Sequence, residues 1–126
     1  MGRENRKIGI RGELIAVKFL EENSYEILET NLRTPVGEID IVARRKSLMV
    51  FVEVKTRASS SLGPPFLSVT KTKQRHLIRN ALCYLKRRGR VHSDWRIDVV
   101  SIKLNGSYGP ESIELIENAV EEDITY

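Results

Sequence analysis

Cysteine is nearly absent: Cys83 is the only one in 126 residues. That excludes an internal disulfide and a zinc site built on cysteines. Cys83 falls on a helical pattern, where a buried thiol is expected. Histidine is scarce as well. His76 and His92 stand isolated and read as surface or helix-packing residues rather than metal ligands. Long apolar runs are missing. The longest, Leu48–Val52, has five residues, far short of the roughly 20 that span a bilayer. The basic start, Met1–Lys7, is not followed by an apolar segment, so no secretory signal is expected. Arg6 stands where a myristoylation signal at Gly2 requires Ser or Thr. No internal repeat or low-complexity segment is found. These absences point to a cytoplasmic protein without a membrane partner.

What is present fits one globular domain. Hydrophobic residues make up 40% and charged residues 30%, an ordinary balance for a chain long enough to bury a core. The boundaries read as a domain over 1–117 and an acidic tail over 118–126. The net charge of +4 conceals a strong asymmetry. Between Lys71 and Lys103 lie ten basic residues and two acids, Asp94 and Asp98. From Glu111 onward there are six acids and no base. Such a basic middle fits a polyanion partner; a solvated helix face balanced by the tail is the plainer alternative.

Residues 38–57 organise the chain. Two alternating apolar runs, Ile39–Ala43 and Leu48–Val54, flank the polar stretch Arg44–Ser47 and read as a β-hairpin. Asp40, Glu53 and Lys55 occupy positions where such strands should be apolar. A turn centred between Arg45 and Lys46 places Asp40 across from Phe51, on the face of Glu53 and diagonal to it. Two carboxylates and an ammonium then converge on a half-buried patch. Burying carboxylates among Val, Phe and Ile costs several kcal/mol unless compensated, and a divalent cation such as Mg²⁺ or Mn²⁺ would compensate. A cross-strand acid–lysine pair on a solvated face is the alternative.

The flanking segments extend this pattern. Gly9–Asn23 reads as a helix with Ile10, Leu14, Val17 and Leu20 as its apolar stripe. Glu13 falls within that stripe's arc, either as a third carboxylate aimed at the hairpin or as an edge residue paired with Arg11. Tyr25–Arg33 reads as a strand closed by Thr34-Pro35-Val36-Gly37. Thr56–Ser68, rich in Ser, Gly and Pro, reads as a mobile loop beside the patch. Thr70–Arg88 is a second helix with Thr70 as N-cap and Leu77, Ala81, Tyr84 and Leu85 as its stripe. Cations at its C-terminal end suit the helix dipole, whereas Lys71, Lys73, Arg75 and Arg79 crowd the end where cations are disfavoured. They read as a phosphate-facing surface, with Gln74 directed toward the sheet. Trp95–Leu104 and Ser112–Ile116 complete the strands.

Helix glutamate, strand aspartate, strand Glu-x-Lys and a basic helix with Gln together resemble the PD-(D/E)XK nucleases. The closer resemblance is to the small bacterial YraN family. It runs through Gly12-Glu13 with Ala16, Asn31-Leu32-Arg33, Gly37-Glu38-Ile39-Asp40 and Phe51-Val52-Glu53-Val54-Lys55-Thr56-Arg57. It continues through Gly63, Lys73-Gln74, Ala81-x-x-Tyr84-Leu85 and Arg96-x-Asp98-Val99-Val100. Ile39 replaces the proline of the superfamily's name, as is usual in the YraN-like group. Archaeal Holliday-junction resolvases are more distantly similar. The resemblance implies a restriction-endonuclease-like three-layer α/β fold, α-β-β-β-α-β-β, with a mixed central sheet flanked by helices. It implies a metal-dependent endonuclease acting on nucleic acid, DNA first, with branched or repair intermediates among the substrates. Mg²⁺ or Mn²⁺ would be held by Asp40, Glu53 and the Val54 carbonyl, with Glu13 completing or supporting the set. Lys55 would position and activate water, releasing a 3′-hydroxyl and a 5′-phosphate. Arg57, Lys71, Lys73 and Arg75 would hold the backbone, with Gln74 also in the nucleic-acid-binding set. The resolvase likeness is compatible with a homodimer. A nucleic-acid-binding module with a degenerate site, acting through protein partners, is the competing reading.

Overall fold

A computed structural model describes residues 2–58, 69–90, 93–106 and 109–120, the side chains of 2–5 excepted. The loop expected over 56–68 lies outside that description from residue 59 on, as do His92 and the tail from 121. The elements are α1 (Gly2–Glu22), β1 (Glu26–Thr34), β2 (Gly37–Arg45), β3 (Leu48–Ala58), α2 (Lys71–Arg87), β4 (Trp95–Leu104) and β5 (Pro110–Ile116). Their order is the α-β-β-β-α-β-β implied by the resemblance. The strands form one five-stranded sheet in the order β1-β2-β3-β4-β5. β1, β2 and β3 make an antiparallel meander, β3 and β4 are parallel, and β5 returns antiparallel to β4. Parallel neighbours require a crossover, which α2 supplies. No helix among the described residues is long and apolar enough to cross a membrane.

The sheet has a core on each face, giving three layers. On one side Ala16 and Leu20 of α1 pack on Ile41, Ala43, Val50, Val52 and Val100. On the other Leu77, Ala81, Tyr84 and Leu85 of α2 pack on Ile39, Val42, Phe51 and Ile97. Phe51 meets Tyr84 and Trp95 edge to face, with ring centroids 5.6 and 6.0 Å apart. The apolar stripe expected on α2 is the one it buries, and Thr70 Oγ1 accepts the Lys73 N–H as an N-cap should.

α1 departs from expectation in two ways. It begins at Gly2 rather than Gly9, because its first turns carry no apolar periodicity to announce them. Its buried line is Gly12, Ala16 and Leu20, whereas Ile10 and Leu14 are 53% and 60% exposed. Small residues let the helix axis approach the sheet, so the larger apolar side chains do not mark its contact face. A Cβ built on Gly12 would lie 1.9 Å from Thr56 Oγ1 on β3; only a glycine allows that contact. The helix ends in a Schellman arrangement: Tyr25 N–H donates to Leu20 O and Ser24 N–H to Glu21 O, with Ser24 left-handed at φ 70°. Tyr25 and Leu20 then join the same core.

The β2–β3 register differs from the expected one by two residues. Arg45 pairs with Leu48, and Val42, not Asp40, faces Phe51. The turn is Lys46-Ser47, with Lys46 left-handed at φ 58°, as a tight two-residue hairpin needs. Four consecutive polar residues with no Asn-Gly or Asp-Gly left its centre unmarked in the sequence. A two-residue offset preserves strand parity, so from Ile41 through β3 the faces are as expected.

At the far end, the buried carboxylate of Asp98 ties the chain's last described turn to β4. Arg96 Nε lies 2.9 Å from Asp98 Oδ1 and the Tyr25 hydroxyl 3.4 Å from Oδ2, while Asn118 N–H donates to Oδ1 at 2.9 Å. Ala119 N–H donates to Ile97 O at 2.8 Å, and Val120 is 5% exposed in the α2-side core. Residues 118–120 are thus held by the domain.

Candidate active site

β2 loses its regular pleat at Asp40. Ile39 packs in the α2-side core and Ile41 in the α1-side core, although residues two apart in a strand share a face. On the neighbouring strand Asn31 lies between the pairs Leu32↔Ile39 and Thr30↔Ile41, opposite Asp40, and is left-handed at φ 50°. The β2–β3 ladder stops at Ile41↔Val52. Beyond it the Asp40 side chain takes over: its Oδ2 accepts the Val54 N–H at 2.8 Å. The break therefore replaces a backbone hydrogen bond with a carboxylate anchored at the point where β3 leaves the cover of β2.

Glu53 meets Asp40 there. The two carboxyl groups hydrogen-bond to each other, and Glu53 is 8% exposed. Two ammonium groups close the cluster. Lys55 Nζ and Lys73 Nζ each lie 3.7 Å from Glu53 Oε1. Glu13, Asp40, Glu53, Lys55 and Arg57 line one cleft of about 520 Å³ between α1 and the end of β3.

Burial dominates the electrostatics. It pushes the Glu53 carboxyl up to about 7, aided by the charge of Asp40 and opposed by the two lysines. Burial also raises Asp40, against the Val54 N–H and the hydrogen bond with Glu53. Burial lowers Lys55, and its hydrogen bond with Lys73 lowers it further. At Lys73 burial pulls down but is outweighed by the Lys55 hydrogen bond and by the charges of Glu53 and Asp40, so it rises. Lys73 thus holds its proton while Lys55 gives it up more readily.

Glu13 joins the cleft but not the pair. Its pKa is raised by burial, against a hydrogen bond with Asn31, and raised further by the Asp40 and Glu38 charges. Among the described residues no three acidic or histidine side chains form a group that could hold a metal ion. The donor set is two hydrogen-bonded carboxylates. Two buried carboxyls this close share a proton, and a divalent cation is the chemical substitute for that proton. Mg²⁺ suits such a site, taking one or two carboxylates and filling its octahedron with water and phosphate oxygens. The residues present fit that ion.

The other basic-helix residues stand apart from this centre. Lys71 and Arg75 are exposed on the first turns of α2. Gln74 is half-buried, and its Nε2 donates to Val69 O at 3.2 Å, bracing the start of the helix. Three supporting residues carried no assigned role in the sequence. Asn31 bonds Glu13. Gly12 seats α1 on β3. Thr56 presents a buried Oγ1 with no hydrogen-bond partner among the described residues, directly under Gly12. An asparagine within a strand pattern was the available signal for the first, since Asn tolerates left-handed backbone. Nothing local marks the other two.

The comparisons with known proteins agree with this arrangement's extent. The family described as "Uncharacterised protein family UPF0102" matches residues 12–102, from Gly12 within α1 to Ile102 in β4. The UPF0102 protein of Geobacter metallireducens is 46% identical over 121 residues, covering 96% of this chain and 98% of that one. Those of Pelobacter propionicus and Desulfosudis oleivorans are 49% and 44% identical, over 94% and 98% of this chain and 85% and 98% of theirs. On a family match across most of the chain and relatives aligned nearly end to end, this protein belongs to UPF0102, the YraN family.

Proposed function

We propose that the chain is a metal-dependent endonuclease that hydrolyses phosphodiester bonds in DNA. The observation that carries this reading is the buried Asp40–Glu53 pair with Lys55 beside it. Perturbed titratable groups gathered in a cleft are where catalysis is usually found, and this one combines acids, a lysine with a lowered pKa and an open approach.

Asp40 and Glu53 would hold Mg²⁺ or Mn²⁺. When bound, such an ion supplies Lewis-acid stabilisation of phosphate charge and lowers the pKa of water. The chain's own residues account for the rest. Asp40 is fixed by the Val54 N–H, so its free oxygen is held in place. Lys55 is disfavoured as an ammonium by burial and by Lys73, which equips it to accept a proton from the attacking water. Glu13, held by Asn31, adds negative charge at the cleft's α1 wall. Arg57 lines the cleft, and Lys71 and Arg75 extend positive charge along α2, where they hold phosphates without reading bases.

A non-catalytic nucleic-acid-binding module is favoured by one observation: Glu53 is already neutralised by two lysines. Mn²⁺ titrated calorimetrically into the wild type and Asp40→Ala separates the readings. Heat in the wild type that is lost in the variant supports the enzyme; equal heats, or none, leave only binding. Cleavage of a panel of duplex, flap, four-way junction, single strand and RNA, with Lys55→Ala as control, then identifies the substrate. Cleavage unchanged in Lys55→Ala marks a contaminant.

A further inference from the structure

Glu53 is contacted by two ammonium groups from different elements, each 3.7 Å from Oε1. Lys55 comes from the sheet and its side chain is 17% exposed; Lys73 comes from the first turn of α2 and is 41% exposed. As it stands, both lysines answer the negative charge of the Asp40–Glu53 pair. A divalent cation at Asp40 and Glu53 would face the Lys73 ammonium across one carboxylate, and like charges so close in a half-buried cleft repel strongly. One lysine must give way. Lys55 is enclosed, whereas Lys73 has solvent on one side. The first turn of α2 contains no acid to receive a released ammonium, and the positive end of the helix dipole repels it. An anion entering the cleft is its remaining partner.

We propose, resting on the nuclease reading, that Lys73 is a catalytic residue: it serves as the counter-ion of Glu53 in the metal-free protein and turns to the scissile phosphate when a divalent cation occupies Asp40 and Glu53. No covalent bond changes in this step. The ammonium exchanges a carboxylate oxygen for a non-bridging phosphate oxygen and keeps its proton. Its main chain does not move, because the Lys73 N–H is held by the Thr70 cap. Lys73 therefore differs in role from Lys71 and Arg75. They lie on the approach; it lies at the reaction centre. Cation and phosphodiester then favour each other's binding, since the cation frees the lysine that the phosphate takes.

The test is Mn²⁺ calorimetry on the wild type, Lys73→Met, Lys73→Gln and, as control, Lys86→Met at the far end of α2, with circular dichroism to confirm folding. Both Lys73 variants should bind Mn²⁺ about tenfold more tightly than the wild type, because no ammonium has to be displaced, and Lys86→Met should match the wild type. On the substrate that the panel identifies, both Lys73 variants should lose kcat at least a hundredfold with KM within threefold. Mn²⁺ affinity unchanged or weakened in both Lys73 variants, or kcat retained, overturns the role of Lys73 and leaves the metal site standing. No Mn²⁺ heat in the wild type overturns the nuclease reading and this inference with it.

Discussion

Replacing Glu53 with Gln should stabilise the metal-free protein at alkaline pH. The folded-state pKa of Glu53 is about 7 against an ordinary 4.5, raised by burial. For a carboxyl raised in this way, folded and unfolded states are both protonated below pH 4.5 and the group contributes nothing. Between 4.5 and 7 the unfolded chain releases the proton and the folded one retains it, so stability falls as pH rises; above 7 the loss is complete. At about 1.4 kcal/mol per pH unit, the rise from 4.5 to about 7 gives a loss of about 3 kcal/mol. The glutamine amide has no proton to lose in this range and can donate to Asp40, although Lys55 and Lys73 then lack a counter-charge. The net gain expected at pH 8 is about 1–3 kcal/mol, or roughly 4–10 °C in Tm for a domain of this size. The assay is thermal denaturation in EDTA from pH 5 to 9. The gap between Glu53→Gln and wild type should be smallest at pH 5, widen between pH 5 and 7 and level off above 7. Mn²⁺ at about a hundred times its Kd should invert the order at pH 8, raising the wild type by about 2.7 kcal/mol and the variant little. A gap that does not change with pH, or a wild type more stable than the variant at pH 8 in EDTA, refutes the reasoning.

Three further outcomes are expected. DNA affinity, measured by fluorescence anisotropy with a non-cleaving metal, should fall about a hundredfold between 50 and 200 mM salt, because about four phosphate contacts, through Arg57, Lys71, Lys73 and Arg75, give a log–log slope near −3.6. Gly12→Ala should cost about 2–4 kcal/mol in chemical denaturation despite the better helix propensity of alanine, since its Cβ would lie 1.9 Å from Thr56 Oγ1; an unchanged midpoint would show that α1 shifts freely. Asp98→Ala should cost about 1–3 kcal/mol in the same assay by removing the buried acceptor shared by Arg96, the Tyr25 hydroxyl and the Asn118 N–H; an unchanged midpoint would show that the network does not anchor the C-terminal turn.

The sequence made the sheet legible where periodicity and punctuation agreed. Trp95–Leu104 has its observed bounds, and α2 buries its expected stripe, because both elements set apolar side chains at a regular period. Two places were opaque for physical reasons. α1 contacts the sheet through Gly12 and Ala16, so the residues that fix its position contribute almost no hydrophobic signal, while the larger Ile10 and Leu14 face outward. The β2–β3 turn sits among four polar residues, any two of which fit the chemistry, and Lys46 adopts its left-handed conformation without a glycine. Of the site, the convergence of Asp40, Glu53 and Lys55 followed from strand parity alone. The pleat break opposite Asn31 and the reach of Lys73 to Glu53 depend on tertiary placement, which no local pattern encodes.

The energetic character of the cluster bears on which reading of it is sound. A structural ion pair is kept because it lowers the energy of the fold, and buried pairs seldom do so better than apolar residues of the same size. Here the deficit is visible in the groups themselves: both carboxyls are raised and one lysine is lowered, so each of the three disfavours its own charged form. Val, Ile or Leu at 40 and 53 would extend the core that Ile39, Phe51 and Leu77 already form around them and would free β2 to keep its pleat. Instead the chain breaks β2 at Asp40, sets Asn31 left-handed opposite it and gives up a ladder hydrogen bond so that Asp40 can bind the Val54 N–H. Those costs all fall at one end of one strand pair and open onto one cleft. Strain and destabilising charge gathered at a solvent-accessible point are what a ligand-binding site looks like before its ligand offsets them, and under the proposed function the divalent cation is the ligand that would relieve this pair of carboxylates.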